Sequence, residues 1–200
     1  MKLFVATTNP KKLEELRALL KGLPFELVSL SEFPQIKEVP ETGATFRENA
    51  EIKALGYARQ TGLLTLGEDS GLCCDALEGA PGVYSARFSG EEKNDAKNNE
   101  KLLKLLEKLP DNCRGAHYAC AIAIAEPGKV VGYAEGEVHG AIAKKPVGTG
   151  GFGYDPLFFY LPFQKTFAQV PAEMKHGVSH RANALKKVRQ ILENHSKTNA

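Results

Sequence analysis

Apolar positions along the chain recur with two different periods. Residues 2–7 are a short apolar run, Leu3-Phe4-Val5-Ala6 at its centre, that predicts a strand. Asn9-Pro10 then supplies a helix start, with Asn9 as N-cap and Pro10 at the first helical position. Leu13, Leu16, Leu19 and Leu20 follow at helical spacing until Gly22. Residues 25–30 predict a second strand, and strand–helix–strand is the opening of an α/β protein. Residues 34–43 are irregular. Thr45-Phe46-Arg47-Glu48 has the spacing of a capping box, which predicts a helix ending near Gly62. Residues 63–66 read as a short buried strand and residues 72–77 as a candidate for another.

Residues 95–109 predict an amphipathic helix with Leu102, Leu105, Leu106 and Leu109 facing inward. Residues 116–125 alternate, placing Tyr118, Cys120, Ile122 and Ile124 on one face. Pro127-Gly128 makes a turn and residues 130–138 return, an antiparallel hairpin that makes the sheet mixed. A glycine-rich loop fills residues 148–153. Ser179 or Arg181 precedes a last helix through Leu185, Val188, Ile191 and Leu192. The expectation is one α/β domain over residues 1–195, with residues 196–200 as a frayed tail.

Composition sharpens this only a little. The 200 residues are 42% hydrophobic and 25% charged, enough for a sizeable core. A net charge of +2 gives no dedicated nucleic-acid or membrane surface, but leaves room for a local phosphate site. No apolar run approaches membrane-spanning length, and the N-terminal run is too short for a signal peptide. Cys73, Cys74, Cys113 and Cys120 contain no C-x-x-C pair, and the adjacent pair inside an apolar run reads as buried thiols in a reducing compartment, the cytoplasm.

Five segments can carry chemistry. Thr7-Thr8-Asn9-Pro10-Lys11-Lys12 joins a strand to a helix N-terminus, whose N–H groups and dipole suit phosphate. Lys12 in the first turn opposes that dipole, so an anion is expected beside it; the plainer alternative is a capped helix with a solvated lysine. At about 100° per residue, Lys53 shares an arc with Phe46, Ala50, Ala54 and Tyr57. A lysine inside an apolar stripe must snorkel or meet an anion. Glu68-Asp69-Ser70-Gly71 follows a buried strand, where α/β proteins place ligands. Carboxylates there suit Mg²⁺, which takes one or two of them plus substrate phosphates, and Glu41 is a further candidate. The alternative is a turn whose acids cap backbone groups.

Residues 148–156 contain G-x-G-x-x-G, but Pro156 and an apolar run follow, which excludes the Rossmann reading. A loop carrying Phe152, Gly153, Tyr154 and Asp155 suits either stacking on a planar ring or a purely structural turn. Lys175 with Ser179-His180-Arg181 gathers donors that can read a base edge or a phosphate. No zinc-type His/Cys spacing and no G-x-S-x-G motif appear.

In order and spacing these segments resemble the Ham1/inosine triphosphate pyrophosphatase family over nearly the whole chain. The resemblance rests on residues 7–12, Glu41-Thr42-Gly43, Glu48-Asn49-Ala50 with Lys53, and Glu68-Asp69-Ser70-Gly71-Leu72. It continues through residues 79–87, Gly151-Phe152-Gly153-Tyr154-Asp155-Pro156 and Ser179-His180-Arg181. It implies a long, twisted, mixed sheet flanked by helices, in two lobes with a central cleft, and usually a homodimer. It also implies a Mg²⁺-dependent enzyme that cleaves non-standard purine triphosphates (ITP, dITP, XTP) between the α and β phosphates, cleansing the nucleotide pool. Asp69 matches the proton acceptor and, with Glu41, a metal ligand. Thr7 to Lys12 and Lys53 match triphosphate binders. Ser70, Phe152 to Asp155, Lys175, His180 and Arg181 match positions that hold the nucleotide and its base; His180 and Arg181, or nearby backbone N–H groups, can donate to a 6-oxo group. Many bacterial members have Asp-Asp where this chain has Glu68-Asp69. Three competing readings are a hydrolase of another triphosphate, a nucleotide- or RNA-binding module without turnover, and a structural protein.

Overall fold

Asn9 caps the first helix as its position predicts: its side chain accepts from the backbone N–H of Lys11 at 3.0 Å and of Lys12 at 3.2 Å. The computed structural model describes residues 1–198. Along the chain run β1 (Lys2–Ala6), α1 (Pro10–Leu19), β2 (Glu26–Ser29), α2 (Phe46–Thr61), β3 (Leu64–Cys74) and α3 (Asp95–Leu106). These are followed by β4 (Gly115–Glu126), β5 (Lys129–Ile142), β6 (Phe158–Tyr160), β7 (Lys165–Thr166), α4 (Ala172–Val178) and α5 (His180–Thr198). The strands form one sheet in the order β2-β1-β3-β4-β5-β6-β7. β1 is parallel to β2 and β3, whereas β6 is antiparallel to β5 and β7, so the sheet is mixed as expected.

The chain forms two compact units. The first comprises residues 1–69, 120–136 and those from Arg181 on; the second comprises residues 70–119 and 137–180. In the first, Leu3 and Val5 of β1, Leu16 of α1, Leu66 of β3, Ile122 and Ile124 of β4, and Leu185, Val188 and Leu192 of α5 share one buried cluster. The other face of β4 is also covered: Ala121, Ala123 and Ala125 pack on Ala50, Ala54 and Ala58 of α2. Small side chains on both partners let that helix come close. Gly67 takes the approach furthest, since a Cβ there would collide with the Ala50 carbonyl oxygen and stand 2.6 Å from the Ala54 nitrogen. In the second unit Leu72, Leu102, Leu106, Tyr118, Val138, Phe158 and Phe167 make the core.

Four expectations need correction. Residues 64–74 are one strand, not two. The acids do not break it, because Glu68 and Asp69 find cationic and amide partners while buried, and its two glycines serve close packing; neither has positive φ. Leu105 is 48% exposed, and α3 stops at Leu106. At about 100° per residue, Leu105 stands roughly 80° from the midline between Leu102 and Leu106. Helix α5 continues to Thr198, through three of the positions expected to fray. Leu192 anchors it in the core, and the Ser196 and Thr198 hydroxyls bond back to the carbonyls of Glu193 and Asn194. Positions 199 and 200 lie outside the described residues. Helix α4, seven residues without an apolar period, was not foreseen.

Candidate active site

β1 ends at Ala6, which pairs with Gly67, so Glu68 and Asp69 lie just past the carboxyl end of β1, beside the start of α1. That is where parallel strands leave room for a ligand. Successive strand residues point to opposite sides, and the two acids take different partners. Glu68, 4% exposed, accepts two bonds from the Arg181 guanidinium, at 2.9 Å from Nε and 2.8 Å from Nη2. Arg181 Nη1 also pairs with Glu15 of α1. Lys12 Nζ stands 3.4 Å from Glu68 Oε1, so the anion expected to offset a lysine in the first turn of α1 is this carboxylate.

Asp69 faces α2. Its Oδ2 accepts from Asn49 Nδ2 at 3.0 Å, and its Oδ1 lies 3.5 Å from Lys53 Nζ. The same ammonium stands 3.1 Å from Glu41 Oε2. Lys53 is 8% exposed, so the lysine in the apolar stripe meets anions instead of snorkelling out. Burial is the main influence on the Asp69 carboxyl and raises its pKa above the ordinary aspartate value; Lys53, Lys12 and the Asn49 bond pull the other way, and Glu41 adds to the rise. Two carboxylates converging on one ammonium offer hard oxygens to a single cation, the donor set Mg²⁺ uses together with substrate phosphates. Among the described residues no three His, Cys, Asp or Glu side chains gather as a closed metal cage.

The glycine-rich loop lies in the second unit. Asp155, 1% exposed, ties it together: Oδ2 accepts from Phe152 N at 3.0 Å and from Lys175 Nζ at 2.5 Å, and Oδ1 accepts from the Tyr118 hydroxyl at 3.3 Å. Lys175 Nζ sits 4.7 Å from the centre of the Phe152 ring, a cation–π contact. His180 stacks on Tyr118 at 4.8 Å and 14°. Burial, then Asp155, holds the Tyr118 hydroxyl well above its usual pKa, so it stays a donor.

The structure thus gathers most of the expected residues, but in two groups. Lys12, Glu41, Lys53 and Asp69 belong to the first unit, with Thr7, Thr8, Asn9, Pro10 and Lys11; Phe152, Gly153, Tyr154, Asp155, Lys175 and His180 belong to the second, with Ser70 half-buried on β3. Within residues 7–12 three N–H groups at the helix start are already engaged: Asn9 caps those of Lys11 and Lys12, and Thr7 Oγ1 accepts from Asn9 N at 3.2 Å. An anion there would meet lysine side chains first. His180 and Arg181 take different partners. They are neighbours at the start of a helix, so their side chains diverge by about 100°; His180 stacks on Tyr118 while Arg181 serves Glu68 and Glu15.

Sequence reasoning missed Glu15 and Tyr118. Glu15 carried a signal: it lies one turn after Lys12 on the same face of α1 and is buried beside Leu16. Tyr118 read as core, which it also is.

A model of the Ham1 family matches residues 3–191. The dITP/XTP pyrophosphatase of Desulforamulus reducens is 53% identical over 192 residues, covering 96% of each chain. The protein of the same name from Geobacter sulfurreducens is 53% identical over 184 residues, covering 92% of each. Among solved structures, a Ham1 protein from Coxiella burnetii has a TM-score of 0.89 at 38% identity, covering 97% of this chain and 99% of that one.

Proposed function

The chain belongs to the Ham1 family, and from that premise we propose that it uses Mg²⁺ to hydrolyse dITP, ITP and XTP to the nucleoside monophosphate and pyrophosphate. It is a nucleoside triphosphate pyrophosphatase acting on non-standard purine nucleotides, the activity its relatives are named for. The observation that carries the metal-dependent reading is the convergence of Glu41 and Asp69 on Lys53.

Glu41 and Asp69 would hold the metal, which supplies charge neutralisation to the phosphate oxygens when bound. Lys12 and Lys53, with residues 7–11, take the triphosphate. The Asp69 carboxylate, held by Asn49 Nδ2, accepts the proton of the attacking water. Arg181 orients Glu68 through its two-pronged bond and stays with the carboxylates. Phe152 to Asp155, Lys175 and His180 take the base, with Ser70 on the nucleotide. A 6-oxo purine presents an acceptor to donors such as Lys175, whereas adenine would present an amino group to them, a mismatch that penalises ATP. Protonated, buried thiols at Cys73 and Cys74, pushed up to about 11 and 12 by burial first, fit a reducing cytoplasm. The homodimer comes from the family likeness alone.

A panel of triphosphates with pyrophosphate detection, run with Mg²⁺ and with EDTA, tests this. Expected is metal-dependent release of pyrophosphate from dITP, ITP and XTP with kcat/KM far above that for ATP. Equal rates for ATP and ITP, or undiminished rates in EDTA, would overturn the substrate and metal assignments respectively.

A further inference from the structure

Phe152 stands between two glycines with left-handed backbones, Gly151 at φ 70° and Gly153 at φ 62°. Such a backbone is intrinsically permissive, so its order depends on tethers. Asp155, in the same loop, supplies one at the Phe152 N–H. Two more come from helix α3. Asp95 and Asn99 lie four residues apart and therefore on one face. They take both backbone groups of Gly153: its N–H donates to Asp95 Oδ2 at 2.7 Å, and its carbonyl accepts from Asn99 Nδ2 at 3.0 Å. Asp95 is well placed for this, because a carboxylate in a first helical turn is favoured by the helix dipole, and its bond to an N–H is charge-assisted. Asn99 is buried, and its Oδ1 has no hydrogen-bond partner among the described residues. Turning the amide over would set that oxygen against the Gly153 carbonyl, so the loop decides how Asn99 sits.

We propose that Asp95 and Asn99 are positioning residues for substrate recognition: an i, i+4 clamp on Gly153 that holds the Phe152 ring and the Lys175–Asp155 pair in the geometry that receives the purine. The inference rests on the reading of residues 152–155 as the base-holding stretch. Neither clamp residue touches substrate. With the clamp in place the loop is ordered before binding; without it, binding must order the loop, and that cost falls on affinity for the base.

The test compares steady-state kinetics with XTP for Asp95→Ala, Asn99→Ala, Asp95→Asn and Phe152→Ala, with inhibition by inorganic tripolyphosphate as a probe lacking a base. Asp95→Ala should raise KM about tenfold, the scale of one charge-assisted bond, and Asn99→Ala about fivefold, the scale of a neutral one. Their kcat and tripolyphosphate Ki should stay within about twofold of wild type, as expected when only binding is lost. Asp95→Asn keeps an acceptor for the Gly153 N–H and should recover most of the loss. Unchanged KM in both alanine variants, with a raised KM in Phe152→Ala, would overturn the clamp and leave the base-binding loop standing. Unchanged KM in Phe152→Ala would sink the base reading and the clamp's purpose with it. A lower melting temperature with unchanged KM would mark the contacts as structural only. Should Asn99→Ala fail to fold, the exposed Asp95 pair of variants still decides the matter.

Discussion

Lys53 Nζ lies 3.1 Å from Glu41 Oε2 and 3.5 Å from Asp69 Oδ1, so a single buried ammonium holds together an exposed loop carboxylate and a buried strand carboxylate. Lys53→Met keeps the stem and removes the charge. Of the influences that lower the Asp69 pKa, Lys53 is the largest, so its loss pushes an already raised carboxyl higher. The acid limb of the kcat/KM profile should move to higher pH, and kcat/KM at neutral pH should fall by about a hundredfold, within the range general-base catalysis contributes. A profile superimposable on that of wild type would remove Lys53 from the site.

Asp69→Asn should abolish turnover and raise stability. The folded-state pKa of Asp69 is raised by burial, so the folded chain binds its proton more readily than the unfolded chain does. Its contribution is favourable at low pH and is lost as pH rises from the ordinary aspartate range through the raised value. At neutral pH the ionised group is a cost, a trade common at catalytic positions. The asparagine variant should melt higher than wild type at pH 7 in EDTA, with the gain shrinking toward about pH 4. A variant that melts lower at pH 7 would contradict the electrostatic account.

Arg181 is 1% exposed and pairs with two carboxylates that are themselves buried. Arg181→Ala takes the guanidinium from both and leaves Glu68 with the more distant Lys12 ammonium, so a loss of about 3 kcal/mol is expected from urea unfolding. Arg181→Lys restores the charge but not the planar fork that meets both oxygens of Glu68, and should recover only part of this. Full recovery by lysine would mean the geometry of the pair is unimportant.

Gly67→Ala should damage the site from behind. Its new Cβ would run into backbone atoms of Ala50 and Ala54, which cannot swing aside as a side chain can. Helix α2 must shift, and it carries Asn49 and Lys53. A stability loss of about 1–3 kcal/mol, typical of overpacking, should come with reduced kcat. Gly177→Ala is the control: nothing stands within 4 Å of its Cβ and its φ is not positive, so the helical site should gain up to about 1 kcal/mol. Equal melting temperatures for the two variants would contradict the close packing of α2 on β3.

Much of this molecule was legible in one dimension. Caps and periods are local physics: Asn9-Pro10 and the Thr45 to Glu48 box start helices wherever the chain goes, and a lysine among Ala50, Ala54 and Tyr57 must either snorkel or meet an anion. Side-chain chemistry is local too, so Glu41, Lys53 and Asp69 could be nominated from residue type and setting. Pairing is not local. Only the tertiary structure decided that Glu68 takes Arg181 from 113 positions away while Asp69 takes Lys53 and Asn49. The same long-range partners explain why the chain runs straight through Glu68-Asp69 where the polar residues and glycines left a turn open as the alternative. Buried charges cost too much to leave unmatched, and their partners come from helices whose positions are set by packing.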